Sequence, residues 1–478
     1  MIYFLIHTRG NKRDFDRWAE AGNYGWSYDE ILPYFMKSEK ANLGRYSSSP
    51  YHNKDGAWSV TFNSMKTPLA EAFVNANKLM GAKEVDYNAE SQMGVGFVQA
   101  NTLFGRRHSA YRAFIEPILH RQNLHIMINT KATKILISPK TKIAHGVEFA
   151  RNNKKYRVTA RNEIILSSGT FHSPQLLTLS GVGHKKDLER IGVPLIKHLP
   201  VGQNMHDHIT FAELTFVTNT TSDINFMTYI NSVFQYYMQG KGLMTLPAGV
   251  EALSFIKTSS KNSRGPDVPD IELVFAPGSV HFDRGFGIMA GGRMKREIYE
   301  AVYKPLEGTK YYTFLISIML FHPKSVGRVE IPNANPFSNP KIHANFFNEP
   351  DDIETILLGI KYVLKLIKTE PFVSIGTRLH SIPLPYCAHI HFGSDNYWRC
   401  VIRIMAFSIQ HQIGTCKMGP ASDPSAVVSP ELKVHGIEKL RVVDTSIIPE
   451  APTAHTNAIS VMIGEKASDL IKRDWRRT

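Results

Sequence analysis

LRVVDTSIIPEAPTAHTNAISVMIGEKASDLIK, residues 440–472, reads as a short buried strand ending in Asp444, a loop broken by Pro449 and Pro452, and a helix. Ile459, Met462, Ile463, Ala467, Leu470 and Ile471 recur at three- and four-residue spacing, which predicts the helix over about 456–472. His455 stands at the point where that helix opens. Upstream, QHQIGTCKMGP (410–420) places His411 three residues before Gly414, in a stretch too glycine-punctuated for a regular helix.

The same alternation of strand, turn and helix recurs outward along the chain. EIILSSG (163–169) runs into HSPQLLTLSG (172–181), an order in which backbone N–H groups at a helix start can face a bound anion or a cofactor edge. Before it, NLHIMINT, ATKILIS, AHGVEFA and YRVTA, between 123 and 160, predict a meander of short strands that crosses back to a core strand. Residues 11–40 read as helical with a turn at AGNYGW (21–26). From 210 to 325 the composition shifts. TFAELTFVTNTTS, IELVFAPGSV and KYYTFLISIML predict an antiparallel second layer, with a Gly-rich loop at 285–294 between the later two. DDIETILLGIKYVLKLIKTEP (351–371) is the clearest helix; its apolar stripe reads as core packing, and Asp351 is available as its cap. The fold class is α/β, α+β overall.

At 478 residues the chain is long enough for two or three domains. Lys plus Arg outnumber Asp plus Glu 56 to 42, a net charge of +14, but the excess is spread thinly. Its densest runs, RNNKKYR (151–157) and KRDWRRT (472–478), do not interleave aromatics with base-reading side chains, so they read as solvated surface and no nucleic-acid partner is expected. Three cysteines are too few for a disulfide scaffold and lack metal-site spacing, so no metal is expected. Cys387 and Cys400 can pair in an oxidising compartment, and Asn219-Thr220-Thr221 is a lone glycosylation sequon; both point toward secretion. The first residues lack the layout of a signal peptide, and no window reaches the ~20 apolar residues that span a bilayer.

Histidine titrates nearest neutral pH, so it can take a hydroxyl proton while the carbon hands a hydride to a cofactor. Two imidazoles on separate elements, His411 before a turn and His455 at a helix start, suit such a site. A helix N-terminus also stabilises negative charge growing beside it. For His455 alone, a plain place beside the helix cap explains the residue equally well.

Four ordered stretches carry a family resemblance. HQIGTCKMGP with LRVVD and TAHTNAISVMIGEKASDLIK resembles the C-terminal signature of the glucose–methanol–choline (GMC) oxidoreductases. SSGTFHSPQLLTLSGVG and LPVGQNMHDH (199–208) resemble that family's second signature. RGNKRDFDRWAEAGNYGWSYDEILPYF (9–35) resembles its flavin-covering segment, and HPKSVGRVEIPNANPFSNPKIHANFF (322–347) its substrate-domain strands. The flavour, including PYCAHI and SDNYWRC around the two cysteines, is similar to insect glucose dehydrogenase-like and ecdysone oxidase-like members.

The resemblance implies an incomplete Rossmann-like FAD-binding domain over 1–210 and an antiparallel-sheet substrate domain, mainly 211–410. Segment 411–478 then returns to the FAD domain with the active-site histidines. It implies FAD as cofactor and a small-molecule alcohol, a sugar or a steroid among others, as substrate, with quinone or oxygen as acceptor. His411 matches the principal catalytic histidine and His455 its partner. Arg9, Gly10, Asn11, Thr133, Ser168, Gly169, Asp444, Thr456 and Asn457 fall where the family lines the cofactor.

One departure stands against it. Gly94/Gly96 and Gly181/Gly183 lack the third glycine and the βαβ setting of a GxGxxG pyrophosphate loop. The expected deficit is about 100–150 residues, one mononucleotide-binding half-domain. The polypeptide by itself is therefore expected to leave an apolar sheet face uncovered and to bind little flavin; the alternative function is a non-catalytic remnant.

Overall fold

The punctuated apolar spacing of residues 11–40 yields α1 (Lys12–Glu20) and α2 (Tyr28–Ser38) around the expected turn. Glu30 accepts both the N–H and the O–H of Ser27, which fixes where α2 begins. The computed structural model describes residues 4–475 except 64, 220–225, 259–263, 282, 283, 286–293 and 310. The Gly-rich loop, apart from Gly285 and Met294, and two residues of the sequon lie outside the described residues.

Next come α3 (Pro68–Leu79) and β1 (Gly94–Phe97). The meander follows as β2 (Lys131–Ile137), β3 (Ala144–Arg151) and β4 (Lys154–Thr159), paired antiparallel in that order. Asn152 and Asn153, both at positive φ, make the two-residue turn inside the basic run RNNKKYR, whose side chains are exposed. NLHIMINT, expected as a further strand, is not one. A strand needs a partner for its ladder, and none lies beside this segment among the described residues. Ile126, Met127 and Ile128 are exposed as a result.

The chain then crosses to β5 (Ile164–Leu166), followed by α4 (Gly169–Leu179). The second layer is an all-antiparallel sheet built from β6 (Ile209–Phe211), β7 (Thr215–Thr218), β8 (Ala252–Ile256), β9 (Ile271–Pro277) and β10 (Tyr312–Leu320), with α5 (Phe226–Gln239) between β7 and β8. β1 forms one edge of this sheet and β11 (Arg378–Leu379) the other. Register Leu273↔Ile318 and Phe275↔Ile316 sets Ile271, Leu273 and Phe275 on one face, where α3 and α6 (Pro350–Leu366) cover them. Phe73 stacks on Phe275 at 5.1 Å, and Ile353, Ile356 and Ile360 complete the layer. Truncating a buried Ile such as Ile360 to Ala would cost about 2–5 kcal/mol. Asp351 is not the cap of α6. Glu349 holds that position, while Asp351 pairs with Lys324 and Asp352 accepts the amides of Lys324 and Ser325.

After α7 (Asp395–Met405) and β12 (Ala406–Ser408), β13 (Leu440–Val442) pairs in parallel with β5, and α8 (Thr456–Trp475) ends the described chain. Ile459, Met462 and Ile463 of α8 pack with Ile31 and Phe35 of α2, forming a second core with β2, β5, α4 and β13. The two cores do not follow chain order, because residues 69–95 pack with 209–402. Cys387 and Cys400 are joined in a disulfide that ties α7 to the segment before it. Among the described residues no helix is long and apolar enough to cross a membrane.

Candidate active site

β6 and β12 run antiparallel with Ile209 opposite Ser408, and five residues on, Ile413 exchanges both backbone hydrogen bonds with His206. Between these two clamps the chain bulges, and the bulge holds His208 and His411 side by side. The Asp207 carboxylate fills it, accepting the His411 amide at 3.0 Å and the Gln412 side-chain amide at 2.9 Å. Burial pushes Asp207 up to about 7. Gly414 makes the following turn at φ +87°, and a Cβ there would lie 2.3 Å from the Asn204 carbonyl oxygen, so only glycine fits.

His455 arrives from the opposite core. Thr453 ahead of it gives both its N–H and its O–H to Asp14, each at 2.7 Å, and the His455 amide donates to Thr8 Oγ1 at 2.6 Å. The His411 and His455 rings meet edge to face at 4.9 Å, and those of His208 and His411 at 5.2 Å. His455 Nε2 lies 3.3 Å from Glu272 Oε1. Glu272 alternates with Ile271 and Leu273 on β9, so it projects from the face away from the helices.

The hydrogen-bond network assigns the tautomers. The Pro452 carbonyl, 2.9 Å from His208 Nε2, can only accept, so the proton sits on that nitrogen. His208 Nδ1 is then a lone pair, and it accepts from His411 Nδ1–H at 3.0 Å. His411 Nε2 is left with a bare lone pair. Burial, with the neighbouring imidazoles adding to it, holds His411 well below its usual value; burial and the nearby His455 and His322 take His208 to about 3. Both rings are therefore neutral near pH 7, as the assigned bonds require.

The other residues singled out in the sequence divide in two. Thr456 and Asn457 open α8 directly after His455, and the amides of Thr456, Asn457 and Ala458 have no partner among the described residues. Gly10 packs on Ala454, and Asn11 caps α1 while its amide donates to Thr453 Oγ1 at 2.7 Å, so this segment braces the turn before His455. Arg9 is fully buried and bound to Glu39 and to the Tyr51 carbonyl, its side chain committed to an internal pair. Asp444 likewise accepts from Gly169 N, Ser173 Oγ and Ser446 N. Thr133 lies on β2 with its hydroxyl on the Glu148 carbonyl, and no hydrogen bond links it to the histidines. The start of α4 differs from expectation: the Ser168 amide is taken by Ser173 Oγ and the Gly169 amide by Asp444, so neither is free to face an anion.

His208, Asp207, Glu272 and Thr8 were not singled out by the sequence. Glu272 did leave a signal, as the one charge inside an apolar strand run, IELVF.

The GMC oxidoreductase family matches residues 1–210 with its N-terminal domain and 323–464 with its C-terminal domain. The chain belongs to that family. It is 35% identical over 474 residues to the glucose dehydrogenase [FAD, quinone] of Drosophila pseudoobscura pseudoobscura, covering 98% of this chain and 72% of that protein. It is 33% identical over 478 residues to the mitochondrial choline dehydrogenase of Homo sapiens, covering 98% and 73%. Among solved structures, the formate oxidase of Aspergillus oryzae RIB40 shares the fold at TM-score 0.82 and 24% identity, over 99% of this chain and 83% of that one.

Proposed function

We propose that this GMC oxidoreductase oxidises the CH–OH group of a small alcohol with FAD as cofactor. The observation that carries the reading is the bare lone pair of His411 Nε2, set against His455 and the open N-terminus of α8.

The residues fit the ring of a flavin. Three amides without a partner among the described residues, at Thr456, Asn457 and Ala458 on the positive end of a 20-residue helix, suit an electron-rich ring edge. The open space in front of Gly169 leaves room beside it. When bound, FAD supplies the acceptor for the hydride that leaves the substrate carbon. His411 Nε2 takes the hydroxyl proton. His208 keeps that nitrogen free by holding the other proton of the ring, and His455, steadied by Glu272, holds the substrate oxygen by hydrogen bond. The domains are assigned accordingly: 1–210 with 411–478 for the cofactor, except that α3 and β1 join the substrate layer, and mainly 211–410 for the substrate. A sugar-type or choline-type alcohol is the substrate class suggested by the relatives, and quinone or oxygen the terminal acceptor.

A second reading, weak retention of FAD by this polypeptide, is favoured by the inward-turned amides at the start of α4 and by exposed Ile165 on β5, which pairs only with β13 among the described residues. An absorbance spectrum of the purified chain, with and without added FAD, separates the two. A bound-flavin band bleached by a panel of alcohols, and no longer bleached in His411→Ala, supports the enzyme. Protein that stays colourless with FAD present supports the second reading, and a band that no alcohol bleaches refutes the first.

A further inference from the structure

The helix α5, FMTYINSVFQYYMQ, contains no charged residue. Ile230, Phe234, Tyr237 and Met238 recur at the spacing of a core-facing stripe, yet they face solvent, with Phe234, Tyr237 and Met238 62–69% exposed. Among the helix residues whose burial is described, 230–239, the inward side holds Ser232 and the half-buried Val233 and Tyr236. A stripe of four large apolar side chains facing solvent needs a cause.

A second apolar projection stands against the end of the helix. The short hairpin Thr102–Leu103/Arg106–Arg107 carries Phe104 at its tip, 83% exposed and at φ +51°. A Cβ on Gly105 would lie 1.9 Å from the Gly240 carbonyl oxygen, and a Cβ on Gly240 would lie 2.1 Å from that of Phe104. Two glycines thus let the hairpin tip and the helix end touch, which joins Phe104 to the α5 stripe in one patch that Met244 extends. Holding a Phe in the left-handed region is unfavourable, and here it displays the ring.

Cations flank both projections. Arg106 stands beside the Phe104 tip on the hairpin and Lys241 follows Gly240 at the helix end, both exposed. Exposed aromatics and Met on a helix and a protruding tip, flanked by exposed cations, match the interface of an anionic bilayer. The base of the hairpin lies near the site, since Asn101 Oδ1 is 3.4 Å from Asn457 Nδ2.

We infer that α5 and the Phe104 hairpin form a docking surface for an anionic lipid membrane, on which the protein sits peripherally. This stands apart from the alcohol-oxidation reading, because its test reads no activity. The full chain is mixed with vesicles of phosphatidylcholine alone, or of phosphatidylcholine with phosphatidylserine, and bound protein is measured by flotation. Binding is expected on the mixed vesicles and to weaken with added salt. Phe104→Ser together with Phe234→Ser should weaken it at least about tenfold, the burial of two rings being lost. Lys241→Gln and Arg106→Gln should each weaken it about fivefold. All four side chains are exposed, so unchanged thermal melting checks that the variants remain folded. Failure to float with either vesicle overturns the inference, as does binding that neither set of substitutions changes. Concentration-dependent self-association abolished by Phe234→Ser, without vesicle binding, also overturns it and assigns the patch to a second copy of the chain.

Discussion

Replacing His208 by Phe tests the tautomer relay directly. Phe preserves the ring volume and the edge contact with Phe321 at 5.7 Å, but it can neither accept from His411 Nδ1–H nor donate to the Pro452 carbonyl. His411 is then free to move its proton to Nε2, the nitrogen that must stay bare. Stranding a buried N–H costs about 1–3 kcal/mol, and each ~1.4 kcal/mol is tenfold, so the competent tautomer falls by roughly 5- to 150-fold. The expected result is a fall of that size in the rate of alcohol-driven flavin reduction by the FAD-reconstituted chain, with substrate affinity little changed. His208→Gln, which can accept and donate at once, should restore much of the rate. Nitrogen NMR of the His411 ring reads the tautomer without flavin and should show the proton leaving Nδ1 in the Phe variant. A His208→Phe chain with unchanged rate and an unchanged His411 tautomer would refute the relay.

Three further outcomes are expected. Asp207, pushed by burial up to about 7, favours the folded state while neutral. Stability is thus fully present below the unfolded carboxyl value near ~3.9 and declines as pH rises through about 7, on the order of 4 kcal/mol in all. Urea midpoints at acid and alkaline pH should show this slope, and Asp207→Asn should flatten it. Burial lowers His52, but hydrogen bonds to Asp86 and Glu39 outweigh this and raise it to about 8. Its contribution, about 2 kcal/mol, is therefore present below pH ~6.5 and lost as pH rises through about 8, so His52→Gln should destabilise the protein more at pH 6 than at pH 9 by ~2 kcal/mol. The Cys387–Cys400 bridge closes a 13-residue separation, so its reduction, or Cys400→Ser, should remove about 2–3 kcal/mol, read as a lower melting temperature under reductant.

Much of the architecture was legible where local periodicity and burial agree. The stripe of α6, the meander β2–β4, and the strand-to-helix units at β5–α4 and β13–α8 each carry their pattern within a few residues. NLHIMINT shows the limit. Its composition suits a strand, but a strand exists only through a neighbour, and the neighbour is not encoded in the segment. Asp351 failed for a related reason: Lys324, distant in sequence, claims its carboxylate. The position of Arg9 in its motif was plain, but its commitment to Glu39 depends on where α2 ends.

The sequence alone determined that two histidines, His411 and His455, sit at a turn and at a helix start, inside motifs specific enough to name a family. It could not say which ring nitrogen bears a proton. That depends on groups 203, 244 and 183 residues apart, namely His208 with His411, His208 with Pro452, and Glu272 with His455. Local spacing specifies which faces of an element are apolar. A proton's position follows from the acceptors that surround it, and only the folded arrangement of β6, β9, β12 and the Pro452 turn brings those acceptors to the site.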